Sequence, residues 1–260
     1  MYYAKNAEQT QGEDGKESYQ QKKPYNYVLL AVGSMLWLLA VAAMVALSLF
    51  AHAHRGPLPF ELTVTRDLQA IPFPWVVQAT MRWFTAINDP LPDMIIVPAS
   101  VLILALFRKF RAAIFLALST GIGNGIDALI GDYVGRPRPS PKLVHVDSTL
   151  IFNSFPSGHS CHMMVFYGFL LYLSLTKPVR QWRYHWVLLP LQIYAIITIL
   201  IMGFARLWEG EHWLIDILGG YLDGAIWMVL FIFLYNWTAD RVHEHRLRKA
   251  MQNATVQNTV

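Results

Sequence analysis

From Tyr27 to Phe50 the chain runs 24 residues without a charged side chain. Five further apolar runs follow. Leu91–Phe107 has Asp93 near its start, Ala112–Gly131 is interrupted only by Asp127, and Ser157–Thr176 carries no Asp, Glu, Lys or Arg. Trp186–Phe204 has no charge, and Trp213–Thr238 contains Asp216 and Asp223. Each of the five is 17 to 26 residues long, and a helix of about 20 apolar residues crosses a bilayer's hydrocarbon core. The pattern predicts an all-α membrane protein of six transmembrane helices. The gap Arg108–Arg111 is too short for anything but a hairpin, so the second and third spans are antiparallel.

Composition agrees. Of 260 residues, 55% are hydrophobic and 15% charged, against about 25% charged in an ordinary globular protein. One soluble core could not hide so much apolar surface, which excludes soluble and disordered classes. The first run is too long for the core of a signal peptide and lacks a clear small-residue cleavage site, so it is read as a retained span. Residues 1–26, with four Lys and four acidic residues, read as a disordered cytoplasmic tail. Residues 27–240 form the membrane domain and 241–260 a C-terminal tail. Within the domain, 51–90 is an outer connection rich in Phe73, Trp75, Trp83 and Phe84, types that favour the headgroup level. It is expected to form short amphipathic helices, as a packed cap or as a lid over a lipid-binding cleft.

The net charge of +4 and the pI near 9.1 do not point to nucleic acid, because the charges sit in the gaps between apolar runs. With both termini inside, the inner segments hold 14 of the 21 Lys and Arg residues, and that bias predicts cytoplasmic termini. The lone Cys161 excludes an intrachain disulfide and any multi-cysteine metal site.

Unusual polar residues gather in the outer loops after the third and fifth spans. One loop reads Gly135-Arg136-Pro137-Arg138-Pro139, then Pro156-Ser157-Gly158-His159 just before the fourth span. The other reads Arg206, five residues, His212, three residues, Asp216. Ser157 and Gly158 at a helix N-terminus supply free amides, a hydroxyl and the positive end of the dipole, which suit an anion. Arg138 and Arg206 can each fork around phosphate oxygens. His212 and Asp216, at i and i+4, would share a helical face, with the carboxylate orienting a nucleophilic imidazole. His159 remains as general acid.

These residues resemble the three signature motifs of the type-2 phosphatidic acid phosphatase superfamily: Arg138-Pro139, Pro156 to His159, and Arg206-x5-His212-x3-Asp216. The motifs span roughly residues 131–216, and the six-span plan resembles that superfamily's membrane branch over almost the whole chain. The resemblance implies metal-free phosphoryl transfer without a cofactor. His212 would form a phosphohistidine, Asp216 would hold its ring, and His159 would protonate the leaving oxygen. Arg138, Ser157, Gly158 and Arg206 would bind the phosphate. Two positions depart from the family pattern: Gly131 stands where the first motif has Lys, and Ala205 where the third has Ser.

Other readings attach to the remaining polar residues. His159 and His162 with Glu209, Glu211 and His212 suggest zinc, but no His-Glu-x-x-His occurs. Arg136 is assigned to backbone geometry or headgroups, His162 to helix packing, and His145 to solvent. Asp127 and Asp223, inside spans, are read as buried carboxyls bonded to neighbouring helices, with a proton relay as the functional alternative. The expected partner is a lipid phosphate or pyrophosphate held in the bilayer: undecaprenyl pyrophosphate, phosphatidylglycerophosphate or phosphatidic acid. The expected setting is a bacterial plasma membrane with the site facing outside. A phosphotransferase on the same site, or a non-enzymatic transporter or scaffold, is the alternative.

Overall fold

The computed structural model describes residues 27–148 and 151–257; the tail at 1–26 lies outside the described residues. Every described element is helical. In chain order they are α1 (Tyr27–Ala53), α2 (Pro59–Ala70), α3 (Trp75–Ile87), α4 (Pro90–Leu106), α5 (Phe110–Val134) and α6 (Gly158–Leu175). Single turns at Lys177–Arg180 and His185–Leu188 then lead to α7 (Leu189–Trp208) and α8 (Leu214–Gln257). The contacts divide the chain inside α1, between Leu39 and Ala40. The first part, Tyr27–Leu39, exposes Leu29, Leu36 and Leu39.

In the second part α6 lies against α5, α7 and α8. It brings Met163, Phe166, Phe169 and Leu173 to the core, joined by Leu116 of α5, Met202 of α7 and Phe231 of α8. The surrounding helices keep large apolar residues exposed, including Leu102 and Leu106 of α4, Leu129 of α5 and Leu200 of α7. In water such surface would be disfavoured by about 25 cal/mol per Å²; against lipid tails it is not. The chain is a multi-pass membrane protein.

α1, α5, α8 and α7 with its preceding turn are long and apolar enough to cross a membrane, and α3 with α4 passes as a pair bent by 63°. Six spans were expected, so the two departures have physical reasons. α4 has only 17 residues. α6 starts Gly-His-Ser-Cys-His, polar residues that lower its hydropathy, and most of its side chains are buried against other helices. The 63° bend follows from Pro90, which opens α4 at its first turn. Asn88 closes α3 by donating to Phe84 O (2.8 Å) and accepts from the Tyr167 hydroxyl (2.7 Å).

The 51–90 segment forms the short helices α2 and α3 after the end of α1. The last apolar run does not end in a separate tail, because α8 continues unbroken to Gln257. At 1.5 Å per residue such a helix is about 65 Å long, roughly twice the hydrocarbon thickness.

α8 packs tightly on the start of α6. A Cβ at Gly220 would run into the Ser157 carbonyl oxygen, and one at Gly224 would come within 2.6 Å of the Cys161 carbonyl oxygen. Beneath this crossing, ligand-type atoms of Asp127, Cys161 and Asp223 all lie within 4.8 Å of one another. Asp223 accepts from Trp227 Nε1 (3.1 Å) and from the Cys161 thiol (3.5 Å).

Candidate active site

Three chain segments converge where α5 ends and α6 and α8 begin. α5 stops at Gly135, whose φ of +60° is a left-handed cap that residues with a side chain rarely adopt. The chain then turns through Arg136 and Arg138. Ser154–His159 leads into α6, whose first ladder bond is Cys161 N–H to Ser157 O (3.0 Å). That leaves the Gly158, His159 and Ser160 amides outside the helix ladder. Arg206 projects from the last turn of α7, and His212 sits in the short link before α8.

His212 is fully buried. Its Nδ1 lies 2.8 Å from the Ser154 carbonyl oxygen, which can only accept, so Nδ1 carries the proton and Nε2 offers a lone pair. Nε2 faces a terminal nitrogen of Arg138 at 3.2 Å. Burial first, then the cations Arg138 and Arg206 with His159, holds the imidazole well below its usual range, so it is neutral at neutral pH. Arg138 also donates to Phe152 O (2.9 Å) and Glu211 O (3.0 Å). Burial pulls Arg138 down to about 10, which leaves it charged.

Arg206 is buried, and one of its terminal nitrogens lies 3.2 Å from both ring nitrogens of His159. The His159 ring reaches Asp89 Oδ1 from Nε2 at 3.1 Å. Asp89 occupies the N-cap position of α4 but makes no cap bond there; its carboxylate is turned to His159 instead. Arg206 Nε is buried without a hydrogen-bond partner.

Asp216 departs from expectation. It does not hold the His212 ring, because α8 begins at Leu214 and His212 lies before its first turn, where i and i+4 need not share a face. As the third residue of α8, Asp216 turns back to accept from Trp213 N–H (2.8 Å), half of a capping box. The same Oδ2 accepts from the Ser154 hydroxyl (2.6 Å), and Oδ1 accepts from Arg136 (2.6 Å). Asp216 therefore reaches His212 through Ser154. Arg136 is not at the headgroups either. It is buried between Asp216 and Glu61, each 2.6 Å away. Burial disfavours its charge, and the two carboxylates more than offset this.

Ser157 is fully buried at the N-cap of α6, with its hydroxyl oxygen accepting from Ser160 Oγ (3.2 Å). Gly158 is exposed. The expected set of His159, Arg138, Arg206, His212 and the start of α6 thus gathers at one place. His162 packs in α6, facing Asn124 (2.8 Å) and Asp93 (3.2 Å) rather than the cluster. His145 is exposed and pairs with Asp147 (2.7 Å).

A model of the PAP2 superfamily matches residues 112–241. The chain belongs to the PAP2 superfamily. Among curated relatives, phosphatidylglycerophosphatase B of Bacillus subtilis (strain 168) is 27% identical over 176 residues, 66% of this chain and 80% of that protein. Undecaprenyl-diphosphatase BcrC of the same organism is 28% identical over 178 residues, 63% of this chain and 84% of that protein. The fold is similar to a crystal structure of a transmembrane PAP2 type phosphatidylglycerolphosphate phosphatase from B. subtilis. There the TM-score is 0.61 at 19% identity, covering 79% of this chain and 96% of that one. Aquifex aeolicus LpxE is similar at a TM-score of 0.54 and 19% identity, covering 67% and 96%.

Several residues of this PAP2 site were not singled out from sequence. Ser154 and Asp89 touch the two histidines, and Glu61 holds Arg136. Glu209 and Glu211, which the sequence offers only as candidate zinc ligands, pair with Arg206 at 3.2 and 2.7 Å. Only Glu61 carried a local signal: Pro59 followed by an acid two residues later is a helix start.

Proposed function

We propose that this PAP2 protein hydrolyses a phosphomonoester or pyrophosphate on a membrane lipid, without a metal, through a phosphohistidine. The observation that carries the reading is His212. Its Nδ1 proton is committed to Ser154 O, and its Nε2 lone pair faces a site ringed by Arg138, Arg206, His159 and the α6 amides. Nε2 attacks phosphorus, the bond to the leaving oxygen breaks, and His159 gives that oxygen a proton. Water activated by His159 then cleaves the phosphorus–nitrogen bond. The arginines and the α6 amides stabilise the charge on the equatorial oxygens. Arg206 Nε is free to donate to one of them.

The relatives named above act on phosphatidylglycerophosphate and undecaprenyl diphosphate by their names; those lipids and phosphatidic acid are the proposed substrates. The proposed topology has six spans, α4 and α6 included, with both termini cytoplasmic and the site on the outer face. The two-to-one excess of Lys and Arg on the inner segments supports it. The test is phosphate release from these three lipids by the detergent-solubilised protein with EDTA present. Release that survives the chelator and disappears in His212→Ala is expected. Release that the chelator abolishes, or that His212→Ala retains, overturns the reading.

A further inference from the structure

Glu61 belongs to none of the sequence motifs, yet it has no exposed surface. It is the third residue of α2, and its Oε2 accepts from Leu58 N–H (2.9 Å), which starts that helix. Asp216 makes the same bond at the start of α8. The two acids thus cap two different helices, and Arg136 bridges them at 2.6 Å to each. Glu61 Oε1 crosses over as well, accepting from Ile215 N–H of α8 (3.1 Å) and from Arg136 (3.3 Å).

What this clamp grips is Ser154. The Ser154 N–H donates to Arg136 O (2.8 Å), its hydroxyl donates to Asp216 (2.6 Å), and its carbonyl accepts from His212 Nδ1 (2.8 Å). The orientation of that peptide, and with it the direction of the His212 lone pair, is fixed by Arg136 and Asp216. Arg136 is itself held from both sides, by Asp216 at 2.6 Å and by Glu61 at 2.6 and 3.3 Å. With Glu61 neutral, the guanidinium would draw toward Asp216 and compete with Ser154 for its oxygens.

We infer that Glu61 is a positioning residue for the nucleophile, acting from the outer helix α2 through Arg136, Asp216 and Ser154 on His212. The inference rests on His212 being the nucleophile. Arg138 and Arg206 share no hydrogen bond with Glu61, so the two phosphate-binding guanidinium groups stand apart from this chain of side-chain bonds, and Ser157 meets it only at the Asp216 backbone carbonyl. α2 is therefore part of the catalytic apparatus rather than a passive cap.

The experiment compares the wild-type chain, Glu61→Gln and Thr65→Ala in detergent. Thr65 lies one turn further along α2, equally buried, with no partner for its hydroxyl, so its variant perturbs the docking of α2 without touching the chain of bonds. Three quantities are read: kcat, KM, and the inhibition constant for inorganic phosphate. Glu61→Gln is expected to lower kcat at least tenfold, with KM and phosphate inhibition within twofold of wild type; Thr65→Ala is expected to keep its kcat within twofold. Two results overturn the inference. One is an unchanged kcat in Glu61→Gln. The other is a loss of kcat matched by weaker phosphate inhibition, or shared by Thr65→Ala, which would make Glu61 only a structural contact. A wild-type protein that releases no phosphate, or keeps its activity in His212→Ala, fails the proposed function instead.

Discussion

Glu211 Oε2 lies 2.7 Å from a terminal nitrogen of Arg206 and 4.0 Å from Arg138. Its other oxygen accepts from Ser148 Oγ at 2.5 Å. A carboxylate thus stands against both arginines proposed to bind phosphate, at the residue immediately before His212. Phosphate competes with it for that terminal nitrogen of Arg206. Glu211→Gln is therefore expected to lower the inhibition constant for inorganic phosphate roughly tenfold, the worth of one charge-assisted bond of about 1.5 kcal/mol. A weaker inhibition in the variant would show that Glu211 holds the arginines in place.

Glu209 gives the site a pH dependence. Burial pushes its carboxyl up to about 7, opposed by Arg206 and the Thr85 hydroxyl. Below that pH it is neutral, and Arg206 loses one of its two buried counter-charges. His212 is held well below the usual imidazole range, so the nucleophile stays unprotonated across the same interval. Consequently kcat/KM is expected to rise as pH falls from about 8 to about 6, by roughly tenfold if one charge-assisted bond is released. Glu209→Gln should flatten the difference on the same lipid, which cancels the ionisation of the substrate itself. A variant profile that overlays the wild type would remove Glu209 from this role.

The motif residues were legible because each is a chemical type at a fixed spacing, and the fold brings Arg138, His159, Arg206 and His212 together. The partners of the histidines were not. Ser154 acts mainly through its carbonyl, which every residue has, and Asp89 and Glu61 are brought in by tertiary packing from 70 and 75 positions away. The misreading of Asp216 came from placing His212 inside a helix that starts two residues later. The helices were read to within a few residues at most ends, the far end of α8 apart, because apolar runs mark helices on their own. α6 was the hard case, since the helix most covered by protein carries the most polar start.

The Ser154 relay can be separated from direct contact. If Asp216 acts through the Ser154 hydroxyl, Ser154→Ala removes one link and leaves the carbonyl. The expected loss is about fivefold in kcat, equivalent to a hydrogen bond of about 1 kcal/mol. Asp216→Asn also strips a buried guanidinium of a counter-ion, and is expected to cost about 3–5 kcal/mol of stability. Measuring kcat and thermal unfolding for both variants decides the matter: a silent Ser154→Ala would mean that Asp216 acts on the ring by another path.

Gly131 stands where the family motif has a lysine, and it is buried in the last turn of α5. A Cβ there would meet Phe155 O at 3.4 Å and Asn153 Cβ at 3.9 Å, which is ordinary contact. Gly131→Lys is thus expected to fold, helped by about 1 kcal/mol of helix propensity. It should raise kcat/KM roughly tenfold by adding one charge-assisted contact of about 1.5 kcal/mol. Unchanged kinetics would show that Arg138 and Arg206 already saturate the phosphate.

Gly220 tests whether the crossing of α8 over α6 sets the site. The Ser157 N–H donates to Asp216 O at 2.9 Å, so the start of α6 is bonded directly to the first turn of α8. That bond exists only because the backbones approach closely, and a Cβ at Gly220 would run into the Ser157 carbonyl oxygen and come within 3.0 Å of Ser160 Cβ. Neither neighbour is a flexible side-chain end, so the helices must separate. Gly220→Ala should cost about 1–3 kcal/mol, as overpacking does, and should weaken phosphate inhibition because Ser157 and the α6 amides move with the backbone. Gly121→Ala is the control, since a Cβ there meets nothing within 4 Å, and it should not destabilise the fold, gaining up to about 1 kcal/mol of helix propensity. Thermal unfolding and phosphate inhibition measured on both variants would separate the cases. If Gly220→Ala unfolds earlier yet binds phosphate as tightly as wild type, the crossing supports the fold without setting the anion site.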